Sequence, residues 1–272
     1  MSERSERFVE VARLAARQAG AVASRLQGEV SRWEKEGEAT PESSALTTAD
    51  LACQDILLLA LHDTFPDIAV DAEEDTDTVG LFLPEDGARP VVVLDPIDGT
   101  FNYSRGSRDY AVMAGWIEDG RYTATVVLFP EWGELLWTVD GRTVHRERDG
   151  GELERVTLPR RTSRVQVAPG LDAEQTAALE ALGLEVTVCR CSAVDSSAPP
   201  RTGDSAASIG PLDRRRAIAL FLTAAAGGTV LAGGRPWRGE DPVRIGGPRP
   251  VAAAADEDAA RRILGPLLAT RG

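Results

Sequence analysis

A chain of 272 residues, 43% of them hydrophobic, has enough material for one or two domains with a packed core. Its formal net charge is −13, and its basic runs are no longer than Arg160-Arg161 and Arg214-Arg215-Arg216, which excludes a nucleic-acid groove. Three cysteines, Cys53, Cys189 and Cys191, exclude a disulfide framework and read as free thiols suited to a reducing cytosol. The charged start Met1-Ser2-Glu3-Arg4 carries no leader pattern and no apolar run is long enough to cross a bilayer, so a cytoplasmic protein without a membrane partner is expected.

Apolar residues from Phe8 to Val30 recur at helical spacing, which predicts one long helix or two short ones over residues 5–36, with Gly28 as a kink. A charged loop follows from Glu34 to Ser44. Thr47 or Thr48 caps the next helix, over residues 50–62, whose apolar face holds Leu51, Ile56, Leu57, Leu58 and Leu61. The segment Asp67-Ile68-Ala69-Val70 reads as a strand and ends in the acids Asp71-Ala72-Glu73-Glu74-Asp75. Seen alone, those acids are a solvated loop.

The run Val91-Val92-Val93-Leu94 reads as a buried strand, and Asp95-Pro96-Ile97-Asp98-Gly99-Thr100 follows it. Pro96 cannot extend a ladder, so the chain is expected to bend there. Gly99 permits a tight backbone beside a ligand. Two acids, a bend and open backbone amides suit a hard cation together with a phosphate. Two strand ends carrying carboxylates can converge at one edge of a sheet. Strands over residues 110–117, 122–129, 134–139 and 143–148, joined by turns at Asp119-Gly120 and Asp140-Gly141, predict an antiparallel meander.

The second half begins near residue 156. Strands are expected over 164–168, 184–188 and 229–231, and helices over 173–182, 216–226 and 255–269. Residues 195–210, rich in Ser, Pro, Ala and Gly, read as a loop. Three consecutive arginines at 214–216 read as a solvated helix start, with a phosphate or a carboxylate as the alternative partner. His62 and His145 have no neighbours that suggest a triad and are expected to be structural.

With these elements in place, the chain resembles the inositol monophosphatase superfamily, the magnesium-dependent, lithium-sensitive phosphatases. The resemblance rests on Thr47-Thr48-Ala49-Asp50, on the acidic pair in Ala72-Glu73-Glu74, on the hexapeptide Asp95 to Thr100 and on Asn102-Tyr103, and it covers residues 8–140 well. It implies a layered α-β-α-β-α sandwich. It also implies a metal-binding N-terminal α+β subdomain over 1–155 and a C-terminal α/β subdomain over 156–272. The implied cofactor is Mg²⁺, held by Glu73, Asp95, the carbonyl of Ile97 and Asp98. The implied catalytic residues are Asp50, Glu73 and Thr100, with the Gly99 and Thr100 amides on the phosphate. The implied reaction is hydrolysis of a small phosphorylated polyol, inositol or sugar by an activated water, in a homodimer.

The C-terminal half departs from the family pattern. Counting back from Gly227-Gly228 places Arg214-Arg215 where the family has Trp-Asp, and Ala225 where it has Glu. The missing Asp completes the family's metal site, and Asp213, two positions early, is not expected to replace it. Cys191-Ser192-Ala193-Val194 is a faint remnant of the family's Gly-Ser-Ala-Ala. The departure implies weaker occupancy of a second cation, an altered specificity, or both. The alternative reading is a catalytically weak protein that binds a phosphorylated small molecule. Retention of Asp50, Glu73, Asp95, Asp98 and Thr100 favours the enzyme.

Overall fold

Small residues on one face let the first helix approach a sheet closely. In the computed structural model, which describes residues 2–29, 32–34, 45–158, 163–210, 212–245 and 250–269, α1 (Glu3–Leu26) buries Phe8, Val9, Ala12, Ala15, Ala16, Ala19, Gly20 and Ala23. A Cβ on Gly20 would meet Leu128 Cδ2 at 2.6 Å, so the backbone lies directly on the sheet. The helix stops ten residues earlier than its periodicity predicts. Gln27 Nε2 donates to the carbonyls of Tyr103 and Ser107, and Gly28 turns the chain at φ +84°. Beyond it, β1 (Arg32–Glu34) pairs antiparallel with β2 (Ala45–Thr47). The rest of the expected loop, residues 35–44, lies outside the described residues, as do Arg160-Arg161.

From Thr47, α2 (Thr48–Thr64) runs beside α1 over one face of a seven-stranded sheet. The strands are β3 (Ala69–Asp71), β4 (Val91–Asp98), β5 (Ala111–Glu118), β6 (Arg121–Phe129), β7 (Glu134–Thr138), β8 (His145–Arg148) and β9 (Glu154–Arg155), in that spatial order. β3 and β4 are parallel; every later pair is antiparallel, as the hairpin turns predict. Asp119 and Gly120 both adopt positive φ, the conformation a tight two-residue hairpin demands. β4 is buried on both faces, which explains its unbroken apolar run.

The second sheet contains β10 (Arg164–Val167), β11 (Glu185–Val188), β12 (Ser205–Ser208), β13 (Thr229–Ala232), β14 (Arg235–Trp237) and β15 (Val251–Ala254), ordered β11-β10-β12-β15-β13-β14. One face packs on α4 (Ala173–Ala181) and α8 (Glu257–Ala269) through Leu179, Ile263, Leu264 and Leu267. The other face meets the first sheet across α7 (Arg214–Ala225), whose Ile218, Leu220 and Phe221 share one core with Val93, Met113, Val230 and Ala253. Helices, sheet, helices, sheet and helices are thus stacked in the expected α-β-α-β-α order.

Residues 195–210 are not a loop. They form the end of α5 (Ser192–Ser196), then α6 (Ala198–Arg201) and β12. Pro199 and Pro200 fall in the first turn of α6, where a missing N–H costs nothing. β12 takes its backbone partners from β10 and β15, so long-range pairing overrides a composition that reads locally as loop.

Candidate active site

Parallel pairing of β3 and β4 delivers their C-terminal ends, and the acids that follow, to one edge of the first sheet. Glu73 lies just past β3. Gln54, on the buried side of α2, grips the next residue: its amide donates to the Glu74 carbonyl at 2.6 Å and accepts from the Glu74 amide at 2.9 Å. The acidic segment is therefore anchored, and Glu73 lines a cavity of about 480 Å³ together with Asp95, Ile97, Asp98, Gly99 and Thr100.

β4 does not end at Leu94. It continues to Asp98, with Asp95 opposite Met113 and Asp98 opposite Ala111. Three steps on β4 thus face two on β5. The bend expected at Pro96 is a bulge, which places a residue without an N–H where the ladder is interrupted. At Gly99 the backbone has φ +86° and leads into the single turn α3 (Thr100–Tyr103). A Cβ on Gly99 would meet Asp109 O and Cys191 Cβ, each at 3.0 Å.

Thr100 Oγ1 lies 2.9 Å from Asp50 Oδ1 and 2.9 Å from the Ile97 carbonyl oxygen. Asp50 Oδ2 accepts from the Thr47 amide at 2.8 Å and from the Thr47 hydroxyl at 2.6 Å. Asp50 is fully buried, and burial is the main reason its carboxyl rises to about 7; the bonds from Thr47 and Thr100 oppose that rise. Asp95 is buried as well. Burial first, then the charges of Glu73 and Asp98, push its carboxyl well above the usual range, and its Oδ1 has no hydrogen-bond partner among the described residues.

Asp98 is cradled from the second half of the chain. Ser192 Oγ donates to Oδ1 at 2.7 Å; the Ala193 amide and the Cys191 thiol each lie 2.7 Å from Oδ2. Burial raises this carboxyl while these three bonds hold the rise back. Among the described residues no three His, Cys, Asp or Glu side chains already converge at ligand spacing. The donor set is nonetheless all oxygen: the Asp95 and Glu73 carboxyl groups are in hydrogen-bonding reach of each other, and Asp95 offers a buried oxygen with no protein donor. Those features fit a hard divalent cation and leave a cation-free site electrostatically unfavourable.

The three arginines are held by acids rather than left to solvent. Arg214 is buried in ion pairs with Asp241, Glu85 and Asp71, at 2.6, 2.9 and 3.2 Å. Arg216 pairs with the buried Asp195 at 2.7 Å. Arg215 Nη2 donates to Asp71 Oδ1 at 3.0 Å and to the Ala72 carbonyl at 2.7 Å, and the side chain lines the same cavity. Asp213 caps α7, accepting from the Arg216 amide at 2.8 Å.

A model of the inositol monophosphatase family matches residues 4–207. The chain belongs to the inositol monophosphatase family. It is 31% identical over 137 residues to inositol monophosphatase 3 of Solanum lycopersicum, an alignment covering 50% of this chain and 49% of that protein. The chain thus spans about half the length of that relative. In fold it is similar to an IMPase of Thermotoga maritima, with a TM-score of 0.73, 18% identity and 95% and 96% of the two chains covered. An IMPase/NADP phosphatase solved with Mg²⁺ and phosphate is similar with a TM-score of 0.75, 15% identity and 96% of each chain covered.

Against this family background, the sequence-derived residues Asp50, Glu73, Asp95, Ile97, Asp98, Gly99 and Thr100 all meet at one site. Gln54, the Cys191–Ala193 cradle and Arg215 were not anticipated there. Gln54 carried a signal, being a polar residue one turn after Asp50 on the buried helix face. The 191–194 segment was visible only as a remnant of the family pattern. For Arg215 the local signal favoured solvent, and its alternative, a carboxylate partner, is what Asp71 supplies.

Proposed function

We propose that this family member is a phosphomonoesterase that hydrolyses a small phosphorylated polyol, inositol or sugar with Mg²⁺ as cofactor. The observation that carries the reading is the buried, unpartnered Asp95 oxygen beside Glu73, in a cavity that also contains the Thr100–Asp50 pair. Glu73, Asp95, Asp98 and the Ile97 carbonyl would hold the cation. When bound, Mg²⁺ would neutralise these carboxylates and withdraw charge from a phosphoryl oxygen. That the related IMPase/NADP phosphatase was solved with Mg²⁺ and phosphate supports this assignment.

The chain's own residues supply the proton path. An Asp50 carboxylate whose pKa lies near 7 is matched to accept a proton at neutral pH. Thr100 Oγ1 passes its proton to Asp50 Oδ1 as it takes one from the attacking water. The oxygen of that water bonds to phosphorus, the phosphorus–oxygen ester bond breaks, and the departing alkoxide is protonated by solvent. The Gly99 and Thr100 amides, at the turn into α3, hold phosphoryl oxygens. No covalent enzyme intermediate is needed.

Phosphate release from a panel of monoesters, with and without Mg²⁺, tests the proposal. Asp95→Asn should lose at least about 100-fold in turnover and lose the thermal upshift that Mg²⁺ produces in the parent protein. Tight ester binding without turnover would instead identify a binding protein. A cytoplasmic homodimer belongs to the same proposal. Its three described cysteines are buried free thiols, and no described helix is long and apolar enough to cross a membrane. Sedimentation reports its stoichiometry.

A further inference from the structure

We infer that the Arg215 guanidinium is a fixed positive charge standing in for a second divalent ion, so that this pocket takes one divalent cation and grips the phosphoryl group between that cation and Arg215. The inference rests on the phosphatase reading above and deepens it.

Position comes first. Arg215 opens α7 and reaches the acidic edge of the first sheet, where its two bonds, to Asp71 Oδ1 and to the Ala72 carbonyl, pin the guanidinium beside the backbone of Glu73. The side chain remains about three-tenths exposed toward the cavity, so one edge is anchored and the other faces the space a substrate would enter. Its Nε is buried and has no hydrogen-bond partner among the described residues.

Charge comes second. Asp71 is shared with Arg214, which already has Asp241 and Glu85, so Asp71 does not belong to Arg215 alone. The guanidinium's charge therefore acts on Asp95 and Glu73 as well. The other acid nearby, Asp195, is matched by Arg216, and Asp213 is turned into a helix cap. Three carboxylates then remain for the cation: Glu73, Asp95 and Asp98. One divalent ion and one guanidinium balance them. A second divalent ion would meet the Arg215 guanidinium, and the other acids that line the cavity, Asp195 and Asp213, already bond Arg216. Arginine suits the role chemically, because it stays charged at any working pH and presents a planar fork to phosphate oxygens.

The test uses Mn²⁺ and inorganic phosphate as probes on the purified full chain. Electron paramagnetic resonance titration should count one tightly bound Mn²⁺ per chain in the parent protein. Arg215→Asp should count two. Arg215→Gln, a neutral variant included in case the acidic one does not fold, should bind its first Mn²⁺ at least about tenfold tighter, because a repelling charge is gone. With Mg²⁺ saturating, phosphate affinity by calorimetry should fall at least about tenfold in Arg215→Gln, whereas Arg215→Lys, which keeps the charge but not the fork, should lose less than Arg215→Gln does. A merely structural Arg215 would lower thermal stability in all variants without this split by charge. Two or more Mn²⁺ ions in the parent, or unchanged phosphate affinity in Arg215→Gln, overturns the inference and leaves the phosphatase reading standing. No Mn²⁺ bound at all removes both.

Discussion

Replacing Asp50 by Asn should change how the stability of this protein responds to pH. In the unfolded chain the Asp50 carboxyl titrates near 3.8, and in the folded protein near 7. Between those values the folded state keeps a proton that the unfolded state has released. Stability therefore falls as pH rises, by about 1.4 kcal/mol per pH unit, and levels off above about 7. Over the whole window the loss is about 4 kcal/mol; between pH 5 and pH 8 it is about 2–3 kcal/mol. Asn does not titrate, yet its oxygen can still accept from Thr47 while its amide donates to Thr100 Oγ1, which can turn its own proton to the Ile97 carbonyl. Urea unfolding of both proteins at pH 5 and pH 8, with a chelator present, measures the effect. The stability difference should move in favour of Asp50→Asn by about 2–3 kcal/mol on going to pH 8. Any constant cost of the substitution cancels in that comparison. A movement below about 0.5 kcal/mol would show that Asp50 is already ionised at pH 5, and the proton-accepting role given to it would fall.

Thr100→Val keeps the shape of the side chain and removes its hydroxyl; turnover should fall by about 10²–10⁴ while the Mn²⁺ count is unchanged, as steady-state kinetics and metal titration will report. Gly99→Ala forces a side chain into left-handed backbone against Asp109 O and Cys191. It should cost about 2–3 kcal/mol, read as a lowered urea midpoint. Arg214→Met leaves Asp241 buried without its main partner and should lose about 3–5 kcal/mol. Arg214→Met combined with Asp241→Leu should recover much of that loss, and calorimetry distinguishes the two.

What could be read without coordinates was short-range. The run Val91–Leu94 announces a buried strand, and the Asp95–Thr100 segment after it a bend at the proline and a glycine that permits a tight turn. The Thr47–Asp50 start of a helix and the acids after residue 70 are equally local; the resemblance to the family implied that these segments share a site, and the parallel pairing of β3 with β4 brings the strand ends together. The meander followed from its turn residues for the same reason. Each of these features depends on backbone preferences spanning a few positions.

The tertiary structure alone decided the rest, because it depends on partners far away in the chain. Cys191, Ser192 and Ala193 hold Asp98 across more than ninety positions. Three arginines that look like a solvated helix start are drawn inward because Asp71, Glu85, Asp195 and Asp241 supply opposite charge there. Burying charge is tolerated only when opposite charge is already in place, and a linear chain does not show which acids will be waiting. Residues 205–208 become a strand for a similar reason: the neighbours that complete their hydrogen bonds come from residues 165–167 and 251–253.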